Sequence, residues 1–379
     1  MPNFSGKWTL QAQMQATGAG NWTGIVLNNL YAWGSNRYGK LGLGNVIYRS
    51  SPIQVGTETT WNKISAGSNS TLANKSDLTL WTWGNNYSGQ LGKSDVVYRS
   101  SPVQIGALTT WSEISCQGDW SFAIKNDGSL WSWGQNGYGN LGDNSINNRS
   151  SPVQVGALLT WAKVVSATQG MFAIKTDGSL WSWGGNQYGQ LGQGDVVLRS
   201  SPVQVGSGTT WSSISAVFQI ISTKTDGTLW GWGLNDYGQL GQNNTINRSS
   251  PVQIGALTTW SKVACGNQCS FAIKTDGTLW SWGVNQQGQL GQNNTIYRSS
   301  PVQVGSLTTW SKVACGFLTP MAIKTDGSLW LWGYNAYGQL GQNDVASRSS
   351  PVQVGNLTTW SSVSEGKGGS SFAINQSTT

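Results

Sequence analysis

Hydrophobic and polar residues alternate in short runs along this chain, and the same runs return at a fixed spacing. In Leu130-Trp131-Ser132-Trp133 two indoles stand two residues apart, and a glycine follows them. Side chains two residues apart share one face of a β-strand, so this run predicts a strand with both indoles on the same side. The Trp-Gly pair recurs seven times, 49 or 50 residues apart, at Trp33, Trp83, Trp133, Trp183, Trp232, Trp282 and Trp332.

Each repeat predicts four strands. In the third repeat the first two are Trp111 to Cys116 and Ser121 to Lys125, and Asn126-Asp127-Gly128 separates the second from Leu130 to Trp133. An Asp-Gly step between alternating runs is a strong hairpin signal. After a long connection and Ser-Ser-Pro, Val153 to Val155 forms the outer strand, where a sheet edge tolerates the donor that proline lacks.

A fixed period of this length is typical of solenoids and propellers. The two strands at the start of the repeats, Leu30 to Trp33 and Ile53 to Val55, lack partners, as do Trp360 to Ser364 and Ser371 to Asn375 at the end. Together they complete one blade. We therefore predict an all-β fold, a seven-bladed β-propeller of four-stranded blades, closed by N- and C-terminal strands that share one blade and hide the sheet edges.

The propeller is predicted to occupy residues 25–379, and residues 1–24 form an N-terminal extension outside the repeats. Within this extension Trp8 to Ala16 contains good helix formers, with Leu10 and Met14 on one face. Such a segment predicts a short docking helix. The extension is similar to the short openings of some bacteriophage and cyanophage structural proteins.

Two local pairings stay open at this point. Ile25 to Leu27 forms a short apolar run that competes with Phe372 to Ile374 for a place in the shared blade. Cys265 and Cys269 stand close enough in sequence for a disulfide across a tight turn. The other interpretation is that the cysteines are small core residues, since Cys116, Cys265 and Cys315 occupy one repeat position.

Composition adds a tryptophan-rich core and little charge. The 379 residues include 23 Trp, and only 10% are charged. Burying an aromatic side chain removes about 150 to 250 Å² from water, so these residues can anchor a core that is otherwise rich in Gly, Ser and Asn. No apolar run approaches 18 residues and none opens the chain, so we expect a soluble protein without a membrane span or a common secretory signal peptide.

The net charge of +7 is distributed around the ring. Seven of the eight arginines occupy one repeat position, which argues against a nucleic-acid partner because no basic run forms. We expect each to bond within its own blade, and the alternative is a ring of cations that meets phosphate, sulfate or acidic glycan. The position comprises Arg49, Arg99, Arg149, Arg199, Arg248, Arg298 and Arg348.

The residue types argue against catalysis. The chain has no histidine, which excludes Ser-His-Asp and Cys-His arrangements and any zinc site that uses histidine. Four scattered cysteines do not form a four-cysteine zinc site. One repeated aspartate is assigned to turn formation, at Asp127, Asp177, Asp226, Asp276 and Asp326. We predict no catalytic residue, no metal and no cofactor.

Comparison of the seven repeats with one another indicates a binding face. The turn between the first and second strands differs in every repeat, as do the residues beside the invariant Asn after Trp-Gly. In a four-stranded meander these two loops emerge at one end, so the variation collects on one side of the ring, the variable face. Unconstrained drift is the alternative, but large apolar groups in wet loops favour binding. The candidate binding residues are Asp119, Trp120, Phe218, Gln219, Phe317, Leu318, Tyr334, Leu234 and Arg37.

The motif Asp-Gly-x-Leu-Trp-x-Trp-Gly-x-Asn-x-Tyr-Gly-Gln-Leu-Gly, at Asp177 to Gly192 and Asp326 to Gly341, resembles the repeat of the regulator of chromosome condensation family. The resemblance covers residues 25 to 375 and implies a seven-bladed β-propeller. Some members are guanine-nucleotide exchange factors for a small GTPase that bind chromatin, and others are secreted inhibitors of β-lactamases. This sequence departs from the exchange factors because it has no histidine, no long protruding insertion and no basic tail.

We therefore predict a non-enzymatic binding or scaffold protein of a virion or a cell surface. Its variable face would bind a protein or a surface glycan, and its extension would dock to a larger assembly. The first alternative is an intracellular, cytoplasmic regulator of the nucleotide-exchange or chromatin type. The second is a secreted protein inhibitor of an enzyme.

Overall fold

A computed structural model describes residues 25–378, which form 28 strands in seven four-stranded antiparallel sheets. The predicted seven-bladed propeller is confirmed. Blade 1 combines both chain ends and contains β1 (Val26–Gly34), β2 (Arg49–Gln54), β27 (Trp360–Gly366) and β28 (Ser370–Thr378). The predicted docking helix, Trp8 to Ala16, and the rest of residues 1–24 lie outside the described part of the chain.

The other six blades follow the chain in order, each with its first strand paired to the second, the second to the third and the third to the fourth. Blade 2 contains β3 (Trp61–Ala66), β4 (Ser70–Lys75), β5 (Leu80–Gly84) and β6 (Arg99–Gln104). Blade 3 contains β7 (Trp111–Gln117), β8 (Trp120–Lys125), β9 (Leu130–Gly134) and β10 (Arg149–Gln154). Blade 4 contains β11 (Trp161–Ser166), β12 (Gly170–Lys175), β13 (Leu180–Gly184) and β14 (Arg199–Gln204). Blade 5 contains β15 (Trp211–Ala216), β16 (Gln219–Lys224), β17 (Leu229–Gly233) and β18 (Arg248–Gln253). Blade 6 contains β19 (Trp260–Gly266), β20 (Cys269–Lys274), β21 (Leu279–Gly283) and β22 (Arg298–Gln303). Blade 7 contains β23 (Trp310–Cys315), β24 (Pro320–Lys324), β25 (Leu329–Gly333) and β26 (Arg348–Gln353). One 3-10 turn, Arg37–Gly39, lies in the connection from β1 to β2.

The outer strands begin earlier than the sequence predicted. In blade 3 the strand β10 starts at Arg149, which pairs with Gly134, whereas Val153 pairs with Ser132. The register therefore shifts between Arg149 and Val153, and Pro152 falls within the shift. A bulge leaves a backbone position unpaired, so a residue without an N–H is accommodated there and the strand continues through the Ser-Ser-Pro segment.

Blade 1 closes the ring through a long strand pair. The strand β1 pairs with β28 over nine residues, from Val26 opposite Thr378 to Gly34 opposite Ser370. The hypothesis that Ile25 to Leu27 forms a competing strand is wrong. Val26 and Leu27 are the first residues of β1 itself, and they pair with residues beyond Phe372 to Ile374, because both terminal strands extend past the length of an ordinary blade strand.

Tryptophan indoles fasten each blade to the one before it. Trp133 packs against Leu72 and Leu80 of blade 2 and fills the gap between the two blades. Its Nε1 also donates to the main-chain oxygen of Gln90, 2.9 Å away in the preceding blade. The same bond recurs around the ring at Trp33, Trp83, Trp183, Trp232, Trp282 and Trp332, with distances of 2.7 to 2.9 Å.

The repeated aspartate shapes a turn, as predicted. Asp127 Oδ1 accepts from Ser129 Oγ at 2.6 Å, and Ser129 Oγ accepts from Trp131 Nε1 at 2.9 Å. The Lys125 ammonium lies 3.7 Å from the centroid of the Trp131 ring. Hydrogen bonds from Ser129 hold the pKa of Asp127 below its ordinary value, because they favour the carboxylate. The aspartate is thus committed to the turn.

The repeated arginines bond mainly within their own blades. Four form ion pairs with an aspartate of the same blade at 2.5 to 2.8 Å, namely Arg99 with Asp95, Arg149 with Asp143, Arg199 with Asp195 and Arg348 with Asp344. The expectation of bonding inside the blade is confirmed for these four. Arg49, Arg248 and Arg298 have asparagine at the position that carries Asp95 in blade 2.

The cysteines are free thiols, and the suggested pairing of Cys265 with Cys269 does not occur. Cys265 lies opposite Ser270 in the register of β19 and β20, so Cys269, the next residue along, faces the other side of the sheet. Its Sγ lies 4.0 Å from Sγ of Cys315 on the neighbouring blade. Cys116 and Cys265 are buried, as expected of small core residues.

Candidate functional site

The two variable sets of loops meet on one face of the ring, as the sequence predicted. In every blade the amide after Trp-Gly donates to a carbonyl in the turn between the first and second strands. The seven bonds measure 2.8 to 3.1 Å and join Ser35 to Gly369, Asn85 to Asn69, Gln135 to Asp119, Gly185 to Gln169, Leu234 to Phe218, Val284 to Gln268 and Tyr334 to Leu318.

The invariant glycine makes this close approach sterically feasible. At Gly134 the backbone has a φ of +107°, and a Cβ at that position would lie 2.3 Å from the carbonyl oxygen of Asp119. Any L side chain would collide with the turn and would also strain the backbone. The glycine of each Trp-Gly pair therefore holds the two loops of the variable face together.

Four of the predicted binding residues are buried, so the expectation that they are wet loop groups is wrong. Trp120 is 5% exposed, and Leu234, Leu318 and Gln219 are buried as well. Gln219 Nε2 donates to two carbonyls of blade 6, at Gly266 and Cys269, 2.9 and 3.0 Å away. Trp120 and Gln219 are the first residues of β8 and β16, whereas Leu318 lies in the turn before β24 and Leu234 follows β17.

Five predicted residues reach the surface, and three of them share one pocket. Arg37 and Phe317 are exposed and Tyr334 is half-buried, and all three line a pocket on the variable face. Phe218 lies elsewhere and packs edge-on against Tyr188, with ring centroids 5.7 Å apart. Asp119 accepts from Gln90 Nε2 at 2.9 Å, and burial raises the pKa of its carboxyl above the ordinary value.

We call this cavity the junction pocket, because it lies where blade 1 meets blades 7 and 2. Its volume is about 330 Å³. Three cationic side chains line it, from Arg37, Lys40 and Lys367, and none of the described lining residues is acidic. The remaining wall is formed by four aromatic rings and by smaller polar groups, namely Tyr48, Phe317, Tyr334, Tyr337, Ser35, Asn69, Gln339, Gly368 and Gly369.

Lys40 is a departure from the repeat. The equivalent residue in the other six repeats is Gln90, Asn140, Gln190, Gln239, Gln289 or Gln339. The Lys40 ammonium is buried and donates to the carbonyl oxygens of Ser68 and Gly368, at 3.0 and 2.8 Å. Burial lowers its pKa to about 8, because desolvation disfavours the charged form. Sequence reasoning missed Lys40, although its difference from six copies was a visible signal.

Lys367 comes from the variable turn between β27 and β28 and extends over the middle of the ring. Its Nζ donates to Thr168 Oγ1, 2.7 Å away, which belongs to blade 4. Burial lowers the pKa of this amine to about 7. The residue was visible in the variable turn but was not selected, because nothing in the sequence shows that the turn reaches across the ring.

Glu365 is a third departure beside the pocket. Its position carries small residues or cysteine in the other repeats, at Ala66, Cys116, Ser166, Ala216, Cys265 and Cys315. The carboxyl group is buried, and desolvation raises its pKa well above the ordinary value. Glu365 therefore stays uncharged to a higher pH than an exposed glutamate and offsets the nearby cations less.

The aromatic rings of the pocket are held by one another. The Tyr337 ring packs edge-to-face against Tyr48 and Tyr334, with centroid distances of 5.8 and 5.9 Å. Phe317 is 42% exposed and Tyr337 is 41% exposed. Edge-to-face aromatic pairs contribute stabilising energy in addition to that of the area they bury. The pocket therefore presents ordered aromatic rings beside its cations.

Within residues 25–378 no three His, Cys, Asp or Glu side chains form a group that could hold a metal ion. Across the same residues, no helix has the length and apolar character that a membrane span needs.

Solved structures share this fold at low sequence identity. Human WBSCR16 is 20% identical with a TM-score of 0.84, over 92% of this chain and 98% of that one. Yeast RCC1 (Prp20), in its structure with Kap60, is 19% identical with a TM-score of 0.81, over 94% and 91%. Prp20p from Saccharomyces cerevisiae, described with its binding properties to Gsp1p and histones, is 19% identical with a TM-score of 0.81, over 92% and 91%.

The repeats themselves match a family model. No curated protein matches the sequence. The model described as the regulator of chromosome condensation (RCC1) repeat matches seven segments, at residues 28–73, 79–124, 127–174, 177–217, 226–273, 276–317 and 326–373. A second model of that description matches residues 260–289. With one match in each seventh of the ring, this chain belongs to the family of RCC1-repeat propellers.

Proposed function

We propose that this protein is a non-catalytic binding module that engages a protein or a surface glycan through the junction pocket and its surrounding loops. The observation that carries the proposal is the convergence of departures from the repeat. Residues that the fold requires recur in every blade, whereas Lys40, Tyr334 and Lys367 each occur once at their repeat position and meet in one cavity.

The chemistry of the pocket also supports binding. Ligand sites are concave, mostly apolar or aromatic, and carry a few placed polar groups. Exposed aromatic and arginine side chains contribute a large part of the energy at protein interfaces. Phe317, Tyr337 and Arg37 supply these features at the rim, and Lys40 supplies a fixed charge at the base.

The test compares two tyrosines at one repeat position. Tyr337 and Tyr237 are 41% and 40% exposed, and each packs edge-on against a second tyrosine, Tyr48 or Tyr297. We expect Tyr337→Ala, combined with Phe317→Ala, to lower attachment of the chain to cells or envelope fractions of its source at least tenfold. Tyr237→Ala should leave it unchanged. Equal attachment of both variants would refute the assignment.

We place this activity in a virion or at a cell surface, with residues 1–24 docking the propeller to a larger assembly. The low charged fraction and the position of the extension outside the repeats support this context. Deleting residues 1–24 should abolish co-purification with the larger assembly or particle, while the propeller still unfolds cooperatively and still attaches to cells or envelope fractions through its pocket. Recovery of the full chain only as a free cytosolic monomer would contradict it.

The second candidate is an intracellular regulator, favoured by membership of the family that includes yeast Prp20, which has binding properties to Gsp1p and histones. Acceleration of nucleotide release from a small GTPase would establish it in place of the surface role. A protein inhibitor of an enzyme would instead form a tight one-to-one complex through the same face.

A further inference from the structure

We propose that the junction pocket binds one carboxylate-bearing sugar residue of a surface glycan, with the carboxylate on the cations of Arg37 and Lys40 and the sugar ring on the aromatic wall. This inference rests on the proposed function, because it names the ligand of the same pocket.

The cationic side chains of the pocket favour an anionic ligand. An ammonium has three N–H donors, and Lys40 uses two of them on the carbonyls of Ser68 and Gly368, so one remains for a ligand. The Arg37 guanidinium lies 4.8 Å from the centroid of the Tyr38 ring, a contact that leaves its N–H edges available. A guanidinium edge matches a carboxylate with two parallel hydrogen bonds.

The wall suits a ring with polar substituents. Phe317 and Tyr337 each leave about two-fifths of their surface exposed, and an aromatic face packs against the apolar face of a pyranose. The amides of Asn69 and Gln339 line the same cavity and can donate to or accept from hydroxyl groups. A simple inorganic anion would use the cations and leave the aromatic wall empty.

The shape favours a sugar over a protein surface. A cavity of about 330 Å³ is at the lower end of the range for small-ligand sites, about 300 to 1,000 Å³. A protein partner instead covers about 800 Å² of a broad patch, and it would reach Lys40 only through a protruding acidic side chain. Because six of seven repeats carry Gln or Asn in place of Lys40, the propeller should hold one such site.

Titration calorimetry of the full chain with glucuronic acid and with N-acetylneuraminic acid tests this directly. At least one acid should bind with a stoichiometry of one, and at least tenfold more tightly than glucose and inorganic phosphate. Lys40→Gln restores the residue type of the other repeats and so should fold, and it should weaken binding at least tenfold. The matched control, Tyr237→Ala, should bind like the wild type.

Each of the following results would contradict a specific part of the proposal. Equal affinity for glucose would overturn the role of the cations, and equal affinity for phosphate would overturn the role of the aromatic wall. If neither acid binds while Tyr337→Ala with Phe317→Ala still loses attachment to envelope fractions, the ligand class is wrong and a protein partner takes its place. If these two substitutions leave attachment intact, the proposed function itself fails.

Discussion

The indole Nε1 of Trp33 donates to the main-chain oxygen of Gln339, 2.8 Å away, although 306 residues separate the two in sequence. This bond ties the first strand of the chain to blade 7. It repeats the contact that joins every other pair of neighbouring blades, so the ring closes with its ordinary inter-blade bond.

Removing that donor should destabilise the ring. Trp33→Phe removes one of two donors to the buried carbonyl of Gln339, which also accepts from Ser371 Oγ at 2.8 Å. The loss of this hydrogen bond costs about 0.5 to 1.5 kcal/mol. Trp131→Phe is the matched control, since its indole donates to the Ser129 hydroxyl at the edge of the blade, where water can replace it. The free energy of unfolding in denaturant measures both, and equal losses would contradict the special cost of the buried bond.

In the pair of terminal strands β1 and β28, we expect the exposed end to be dispensable for folding and the buried part to be essential for it. Ending the chain at Gln376 removes residues 377–379, of which Ser377 and Thr378 pair with Leu27 and Val26 at the exposed end. We expect a small fall in the midpoint of thermal unfolding, since few buried groups are lost. A collapse of the fold in this variant would show that the extension itself closes the ring.

A deeper truncation should abolish folding. Ending the chain at Ser371 removes Phe372 and Ile374, which are both buried in the core between blades 1 and 2, and it exposes the edge of β1. Each such loss costs about 2 to 5 kcal/mol, against a total stability of about 5 to 15 kcal/mol. Insolubility or the absence of a cooperative transition is the expected result, and a monomer with native stability would be incompatible with this closure.

Lys367 should make stability depend on pH. Its folded pKa is about 7 and its ordinary value is 10.5, so between these values the unfolded chain holds a proton that the folded chain has lost. Stability from this group therefore rises as pH rises above about 7. The thiols of Cys265 and Cys315 face the amine, and burial raises both of their pKa values above 9, so they stay neutral in this window.

The measurement compares the wild type with Lys367→Met in denaturant at pH 6 and pH 8.5. The wild type should gain stability relative to the variant at the higher pH, while Arg37, Lys40 and Glu365 contribute equally to both chains. A difference that is the same at both pH values would show that Lys367 keeps its proton throughout.

Oxidation should join Cys269 to Cys315 and leave Cys265 free. The two sulfur atoms lie 4.0 Å apart, so a small movement allows a disulfide between blades 6 and 7. Burial raises the pKa of Cys315 and covers Cys269, so the reaction requires transient local opening and an excess of oxidised glutathione at pH 9. The protein should then lose two hydrogen atoms as two molecules of reduced glutathione form. Peptide mass mapping should find the 269–315 link, and Cys315→Ser should prevent it. A 265–269 link would contradict the observed register.

The blades follow from local features of the sequence. The alternation in Leu130 to Trp133, the Asp-Gly turn and the period of about 50 residues all act over a few neighbouring residues, and they repeat seven times. The shared blade was predictable for the same reason, since half a repeat stands at each end. Within the site, the choice of Arg37, Phe317 and Tyr334 came from comparing equivalent loops.

Only the tertiary structure decided which loop residues face outward and which ones meet. Loops have no period that assigns a side chain to a face, so Trp120 and Leu318 could not be recognised as buried from their positions. Lys40 and Gly368 are 328 residues apart, and Lys367 and Thr168 are 199 apart. Such contacts exist only because the two ends of the chain share blade 1 and because Lys367 extends across the ring to blade 4. The sequence by itself therefore determined the seven blades and the variable face, and the closed ring determined the pocket.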